Sequence, residues 1–301
     1  MAARVADLLK RHRVTHGAKF RLADCDPDDD GGAHLKTQAD DLLAQTVEQI
    51  RALQEMLYAE DLWALLLIFQ AMDAAGKDSA IKHVLSCVNP HGVSVHSFKV
   101  PSPEELDHDY LWRTTCRLPE RGKIGIFSRS YYEEVLVVRV HPEILKSQRL
   151  APELVTKRIW QERYEDIRNF ERYLCRNGTL VRKFYLNMSE EEQRKQLLER
   201  IDEPEKNWKF SARDLEERAL WKTYRRVYED AIRETARPDA PWYVVPADKK
   251  WYARLIIAGA ILETLESLNL RYPTPDPTLR REMAQARRRL LADRRGRHSR
   301  R

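Results

Sequence analysis

The stretch from Leu62 to Val88 constrains the fold more than any other. An apolar run, Leu62-Trp63-Ala64-Leu65-Leu66-Leu67-Ile68-Phe69, ends in the loop Gln70-Ala71-Met72-Asp73-Ala74-Ala75-Gly76-Lys77-Asp78-Ser79. A helical pattern (Ile81, Val84, Leu85, Val88) follows at once. A buried strand, a tight loop closing on Gly-Lys and a helix N-terminus form a phosphate-binding device. Backbone N–H groups and the positive end of the helix dipole converge on one spot, and a lysine adds a full charge there. The stretch points to an enzyme or switch handling phosphoanhydrides. The alternative is an ordinary Gly-Lys turn with Asp73 as a turn residue.

The pattern departs from the usual G-x-x-x-x-G-K-[ST] loop. Ala71 stands in place of the first glycine and Asp78 in place of the metal-binding hydroxyl. The spacing to Gly76-Lys77 and the strand–loop–helix context survive, so Ala74, Ala75, Gly76, Lys77, Asp78 and Ser79 are the candidate phosphate cradle. A carboxylate at Asp73 repels phosphate unless a cation lies between them. Asp73 is therefore the candidate ligand for Mg²⁺, with Mn²⁺ as a substitute.

A loop of this kind needs a companion strand ending in a polar residue beside the phosphates. Ile124-Gly125-Ile126-Phe127 leads into Ser128-Arg129-Ser130-Tyr131-Tyr132-Glu133-Glu134. The usual companion is an Asp that holds the metal. Ser128 occupies that place, which throws the metal duty back onto Asp73. Arg129 falls on the rim of the loop, where a planar fork grips phosphate oxygens in pairs; elsewhere such an arginine would be a surface ion pair. The segment Asp202-Glu203-Pro204-Glu205-Lys206-Asn207-Trp208-Lys209-Phe210 joins two helices. It reads either as a mobile lid whose lysines close over phosphate or as a plain interhelical loop.

Strands alternating with helices imply a mostly parallel sheet covered on both faces, an α/β fold. The five strand candidates are the Leu62 run, Val93–Val100, Ile124–Phe127, Leu180–Leu186 and Trp242–Val245. Helix starts are marked by Ser102-Pro103, by Ser189 before three glutamates and by Ser211, and Gly178 marks a helix end. Residues 1–36 read as an irregular lead-in with a turn-rich acidic stretch from Asp24 to Gly32, most simply a solvated loop.

No segment reaches the ~18 uninterrupted apolar residues of a membrane span, and the N-terminus lacks a secretory leader's apolar stretch. Four scattered cysteines (Cys25, Cys87, Cys116, Cys175) show no zinc or disulfide spacing. A cytoplasmic chain with reduced thiols is expected. The net charge of +6 is a property of the end of the chain: residues 272–301 carry ten arginines and three acids, +7, which leaves −1 for the rest. Without aromatic stacking partners or a recognition fold, that tail is not expected to bind nucleic acid.

Four motifs together carry a family resemblance: Ala71-Met72-Asp73-Ala74-Ala75-Gly76-Lys77-Asp78, Ile126-Phe127-Ser128-Arg129-Ser130-Tyr131-Tyr132-Glu133-Glu134-Val135, Pro204-Glu205-Lys206-Asn207-Trp208-Lys209-Phe210 and Pro246-Ala247-Asp248-Lys249-Lys250-Trp251. From about Lys19 to Pro273 the chain resembles the family-2 polyphosphate kinases, and among them the class III polyphosphate:AMP/ADP phosphotransferases. The resemblance implies a P-loop kinase fold like that of thymidylate kinase: a parallel five-stranded sheet flanked by helices within residues 37–272, a helical lid at about 202–213, and an Arg-rich tail over 273–301. It implies transfer of a terminal phosphoryl group from inorganic polyphosphate to AMP and ADP, with Mg²⁺. Asp73 matches the loop acid that binds metal and orients the acceptor, Lys77 the phosphate-loop lysine, and Arg129 the arginine of the companion motif. Glu133 matches an acid of this branch that helps place the metal, and Lys206 and Lys209 match lid positions. Ser128 replaces the Asp or Asn of relatives. Arg113, Arg117 and Arg139 are candidates for the polyphosphate chain. Relatives form dimers or tetramers, so a homo-oligomer is expected. The rival with the same fold is an ATP-dependent nucleotide or nucleoside kinase; a non-catalytic phosphate- or nucleic-acid-binding module is the other.

Overall fold

The apolar run from Ala64 to Phe69 forms a strand because all of its residues can be buried, while Leu62 and Trp63 before it are exposed. The structure, a computed structural model, describes residues 2–86 and 88–298; Met1, Cys87 and residues 299–301, the last two arginines of the tail among them, lie outside the described residues. Strand β2 (Ala64–Ala71) is buried at every position. Its side chains alternate between two apolar layers. Leu65, Leu67 and Phe69 face a cluster with Ile50 and Leu57 of helix α2 (Ala39–Glu60) and with Ile256, Ile257 and Ile261 of the long helix Lys250–Ser267. Leu66 and Ile68 face Tyr164 and Ile167 of helix Ile159–Arg176 and Val227 and Ile232 of helix Trp221–Thr235. A strand covered on both faces reads as a continuous apolar run, which is why this one was conspicuous.

The other strands are β1 (Arg13–Val14), β3 (Val93–Ser97), β4 (Ile124–Ser128), β5 (Thr179–Asn187) and β6 (Trp242–Pro246), in spatial order β1-β6-β5-β2-β4-β3. Strands β2 to β6 pair in parallel, as expected for five strands. The sheet nevertheless has a sixth member. Arg13 and Val14 pair antiparallel with Tyr243 and Trp242, so the sheet is mixed. Two residues carry no readable alternation, which explains the omission.

Residues before 37 are also more regular than their sequence suggested. Ala2–His12 is helix α1, with Leu9 buried in the core and His12 Nε2 2.9 Å from Tyr252 OH. In the acidic stretch, Asp26 and Asp30 carboxylates accept from the N–H groups of Asp28 and Gly32. Lys249 meets Asp28 and Asp30, its Nζ reaching Asp30 Oδ2 at 2.9 Å and holding that carboxyl below its usual range, and Arg11 meets Asp29 at 3.2 Å.

In chain order the remaining helices are α3 (Lys77–Val84), α4 (Ile159–Arg176), α5 (Glu190–Asp202), α6 (Arg213–Ala219), α7 (Trp221–Thr235) and α8 (Lys250–Ser267), beside shorter turns. Ser102 and Ser189 cap as expected, accepting from the N–H groups of Glu105 and Glu192. Ser211 does not: α6 follows Ala212 with no side-chain cap. The chain divides into two units, Met1–Leu270 and Arg271–Arg301. The second contains helix α9 (Pro277–His298), started by Asp276, whose Oδ1 accepts from the N–H groups of Thr278 and Leu279.

Candidate active site

Strand β2 delivers its carboxyl end, in the middle of the sheet, to the loop that starts α3. Crevices at the carboxyl ends of parallel strands are where such sheets bind ligands. Gly76 precedes the helix at φ +82°, with open space around its missing Cβ. The backbone conformation, not crowding, therefore demands glycine. Ala74 (φ +68°) and Arg129 (φ +65°) are also left-handed, an uncommon state for residues with a side chain. Two such residues on adjoining loops mark a place where surrounding structure imposes the shape.

Lys77 folds back over the loop, its Nζ donating to the carbonyl of Ala71 at 3.0 Å. Burial lowers the pKa of its ammonium, with the charge of Asp73 opposing. The Asp73 carboxylate is partly exposed and lies 3.3 Å from Arg129 Nη2, while its carbonyl accepts from Gln193 Nε2 at 3.0 Å. The backbone N–H of Arg129 donates to Phe69 O at 3.1 Å, tying the end of β4 to β2. Burial works against the Arg129 charge, but Glu133 and Asp73 outweigh it and hold the guanidinium above its usual value. Burial pushes the Glu133 carboxyl up, against the pull of Arg129 and Lys77. Ser128 Oγ donates to Asp78 Oδ1 at 3.3 Å.

Asp73, Arg129, Glu133 and Arg113 line one cavity of about 490 Å³. Arg113 is buried there, donating to Lys99 O at 2.8 Å with its guanidinium over the Phe98 ring. Phe98, Val137, Val138 and Ile144 give the cavity an apolar portion. The loop residues Ala74 to Ser79 adjoin it without being among its lining residues, and Arg117, Arg139, Lys206 and Lys209 do not line it either. Arg139 pairs with Asp230 at 2.9 Å and donates to Tyr164 OH. Arg117 is exposed. Lys206, in the short 3₁₀ turn Pro204–Lys209, is paired with Glu199 and Glu203, and Lys209 Nζ lies 5.1 Å from the centre of the exposed Trp208 ring. From the lid region Ser211 and Arg213 line the cavity, as do Asp214 and Glu217 just beyond that region.

Gln193, Asp214 and Tyr228 also reach the cavity, and sequence reasoning did not single them out. Gln193 meets the loop 120 positions away in the chain, so no local pattern could reveal it. Burial and then the charge of Asp73 raise the Asp214 carboxyl. Among the described residues no group of three or more His, Cys, Asp or Glu side chains is gathered as a ready metal cage.

A mostly parallel sheet whose central strand ends in a Gly-Lys loop, with an arginine and carboxylates beside it, places the chain in the P-loop kinase class. A family model described as Polyphosphate kinase 2 (PPK2) matches residues 34–273. The chain belongs to the polyphosphate kinase 2 family. It is 54% identical to an ADP-polyphosphate phosphotransferase of Rhodopseudomonas palustris, over 94% of this chain and 98% of that one. It is 47% identical to an AMP/ADP-polyphosphate phosphotransferase of Meiothermus ruber, over 89% of this chain and 97% of the relative. The crystal structure of polyphosphate kinase 2 from Arthrobacter aurescens superposes with a TM-score of 0.83 at 39% identity, covering 94% of this chain and 96% of that chain.

Proposed function

We propose that this chain transfers the terminal phosphoryl group of inorganic polyphosphate to AMP and ADP, giving ADP and ATP. The observation that carries the reading is the meeting of Asp73, Arg129 and Glu133 on one cavity beside the Gly-Lys loop. The cavity has an apolar portion suited to a base and cationic groups suited to phosphates. In the transfer, a phosphate oxygen of the acceptor attacks the terminal phosphorus of the polymer. The bond to the bridging oxygen breaks, and its electron pair stays on the shortened chain. The nucleophile is already anionic, so no strong general base is required. The protein's work is positioning and charge neutralisation.

In this scheme the ammonium of Lys77 and the N–H groups of the loop through Ser79 hold the donor phosphates. Arg129 spans donor and acceptor. Asp73 and Glu133 offer hard carboxylate oxygens suited to Mg²⁺ or Mn²⁺. The described residues gather no ready cage of three or more His, Cys, Asp or Glu side chains, so most ligands of the ion would come from substrate phosphates and water, the arrangement Mg²⁺ favours. An ion held there would supply charge neutralisation to the phosphate oxygens. Closure of the segment around Lys206 and Lys209 excludes water and suppresses hydrolysis. No described helix is long and apolar enough to cross a membrane; a cytoplasmic homo-oligomer, dimer or tetramer, completes the proposal.

The test is incubation with ADP and long-chain polyphosphate in the absence of ATP. New ATP is expected. No ATP under these conditions, with ready phosphorylation of AMP by ATP, would make the chain an ATP-dependent nucleotide kinase instead.

A further inference from the structure

Beneath the turn that carries Arg129 and Glu133 lies an ion pair sealed from water. Lys183 of β5 and Glu171 of α4 are fully buried, with Nζ 2.6 Å from Oε2. Lys183 Nζ also donates to Thr235 O at 2.8 Å and lies 5.7 and 5.4 Å from the ring centres of Tyr132 and Trp242. The other oxygen of Glu171, Oε1, accepts from the hydroxyls of Tyr131 at 3.0 Å and Tyr132 at 2.8 Å.

These two tyrosines stand between Ser130 and Glu133. Ser130 is anchored as well: its Oγ accepts from Gln70 Nε2 and from the N–H of Tyr132, each at 3.1 Å. All three residues separating Arg129 from Glu133 are thus fastened by buried polar groups. Stability does not account for the ion pair. Removing two charges from water costs several kcal/mol per ion, and apolar replacements of similar volume are often neutral or stabilising. An apolar filling would not fix the direction of two phenols, because hydrophobic contact is non-directional and a hydrogen bond is not.

We propose that Glu171, held by Lys183, is a positioning residue: through the hydroxyls of Tyr131 and Tyr132 it fixes the turn that sets Arg129 and Glu133 beside Asp73. The proposal rests on the phosphotransfer reading above.

Three variants test it. Tyr131→Phe/Tyr132→Phe removes the tether and keeps the ion pair. Glu171→Gln/Lys183→Met removes both charges but leaves an acceptor for the phenols, and Glu171→Leu/Lys183→Met leaves none. The Phe and Leu variants should lose roughly ten- to hundredfold in kcat with KM for ADP unchanged, while the Gln variant stays near wild type. Amide hydrogen exchange over residues 129–134 should quicken in the Phe variant, a readout independent of turnover. If the Leu variant does not fold, the single changes Tyr131→Phe and Tyr132→Phe decide, each with a smaller loss in kcat. Wild-type kcat and exchange in the Phe variants, or equal kcat in the Gln and Leu variants, would overturn the proposal. Absence of polyphosphate-dependent activity in the wild type would instead overturn the functional reading, and the exchange measurement would still decide the tether.

Discussion

Ser128 and Asp78 hold each other's usual positions. A phosphate loop ordinarily ends in a hydroxyl and its companion strand in a carboxylate. Here the carboxylate is on the loop and the hydroxyl on the strand, and Ser128 Oγ donates to Asp78 Oδ1 at 3.3 Å. The pair keeps its chemistry while its members trade backbones. Asp78→Ser and Ser128→Asp should each raise the metal concentration for half-maximal rate, and the double variant should recover much of the loss. A metal titration of all three checks this; singles indistinguishable from wild type would show that the pair takes no part in metal use.

The proposed function gives Asp73 the metal-binding role and Lys77 the donor-holding role at the loop. Asp73→Asn and Lys77→Ala should each reduce turnover by about 10²–10³-fold, the usual scale for removing one preorganised charge-stabilising group. Circular dichroism should show an unchanged fold. Near wild-type rates with polyphosphate and AMP would overturn their assigned roles.

The half-buried Glu133 gives a pH signature in metal-free protein. Its folded pKa is raised by burial, so ionisation is harder in the native state than in the unfolded chain. Stability is therefore lost as pH rises from the ordinary glutamate value of about 4.3 through the raised one. Glu133→Gln should raise Tm at neutral pH in the presence of chelator, and the gain should vanish as pH falls below ~4. A gain independent of pH would mean that the carboxyl is not held as described.

Ala74 and Gly76 share a left-handed backbone but differ in side chain. Gly76→Ala should cost about 1–2 kcal/mol, although its Cβ would meet open space. Ala74→Gly relieves the same strain and loses part of that gain to chain entropy, so its net effect should lie within about 1 kcal/mol of zero. Chemical denaturation measures both; a tolerated Gly76→Ala would mean that the loop relaxes out of this conformation.

Truncation after Pro273 removes the Arg-rich segment beyond the residues matched by the family model. Phosphotransfer should be unchanged. Lost activity in a folded truncated protein would give the tail a functional role.

The central strand, its loop and the companion strand were legible because each is a local pattern: an apolar run, a Gly-Lys turn, a short strand ending in Ser-Arg. Strand β1 was invisible because its pairing with Trp242 and Tyr243 supplies all the information that makes it a strand. Lys249 likewise carried no sign that it would meet the acidic stretch near the N-terminus. The cavity's contributions from Gln193, Asp214 and Tyr228 arise from helices packed over the sheet, and tertiary placement alone selects them. The lysines of the turn Pro204–Lys209 were legible as charges, but the pairing of Lys206 with Glu199 and Glu203 was not.

The lack of a ready metal cage among the described residues has a consequence for supply. A protein with no ready cage of its own for an ion cannot stockpile it, so on the proposed function magnesium would arrive already riding on its polymer or nucleotide. Bare polymer in excess would then behave as a sponge, soaking up the ion and quieting turnover while substrate is plentiful. Cellular magnesium and polymer abundance would be sensed here as one ratio.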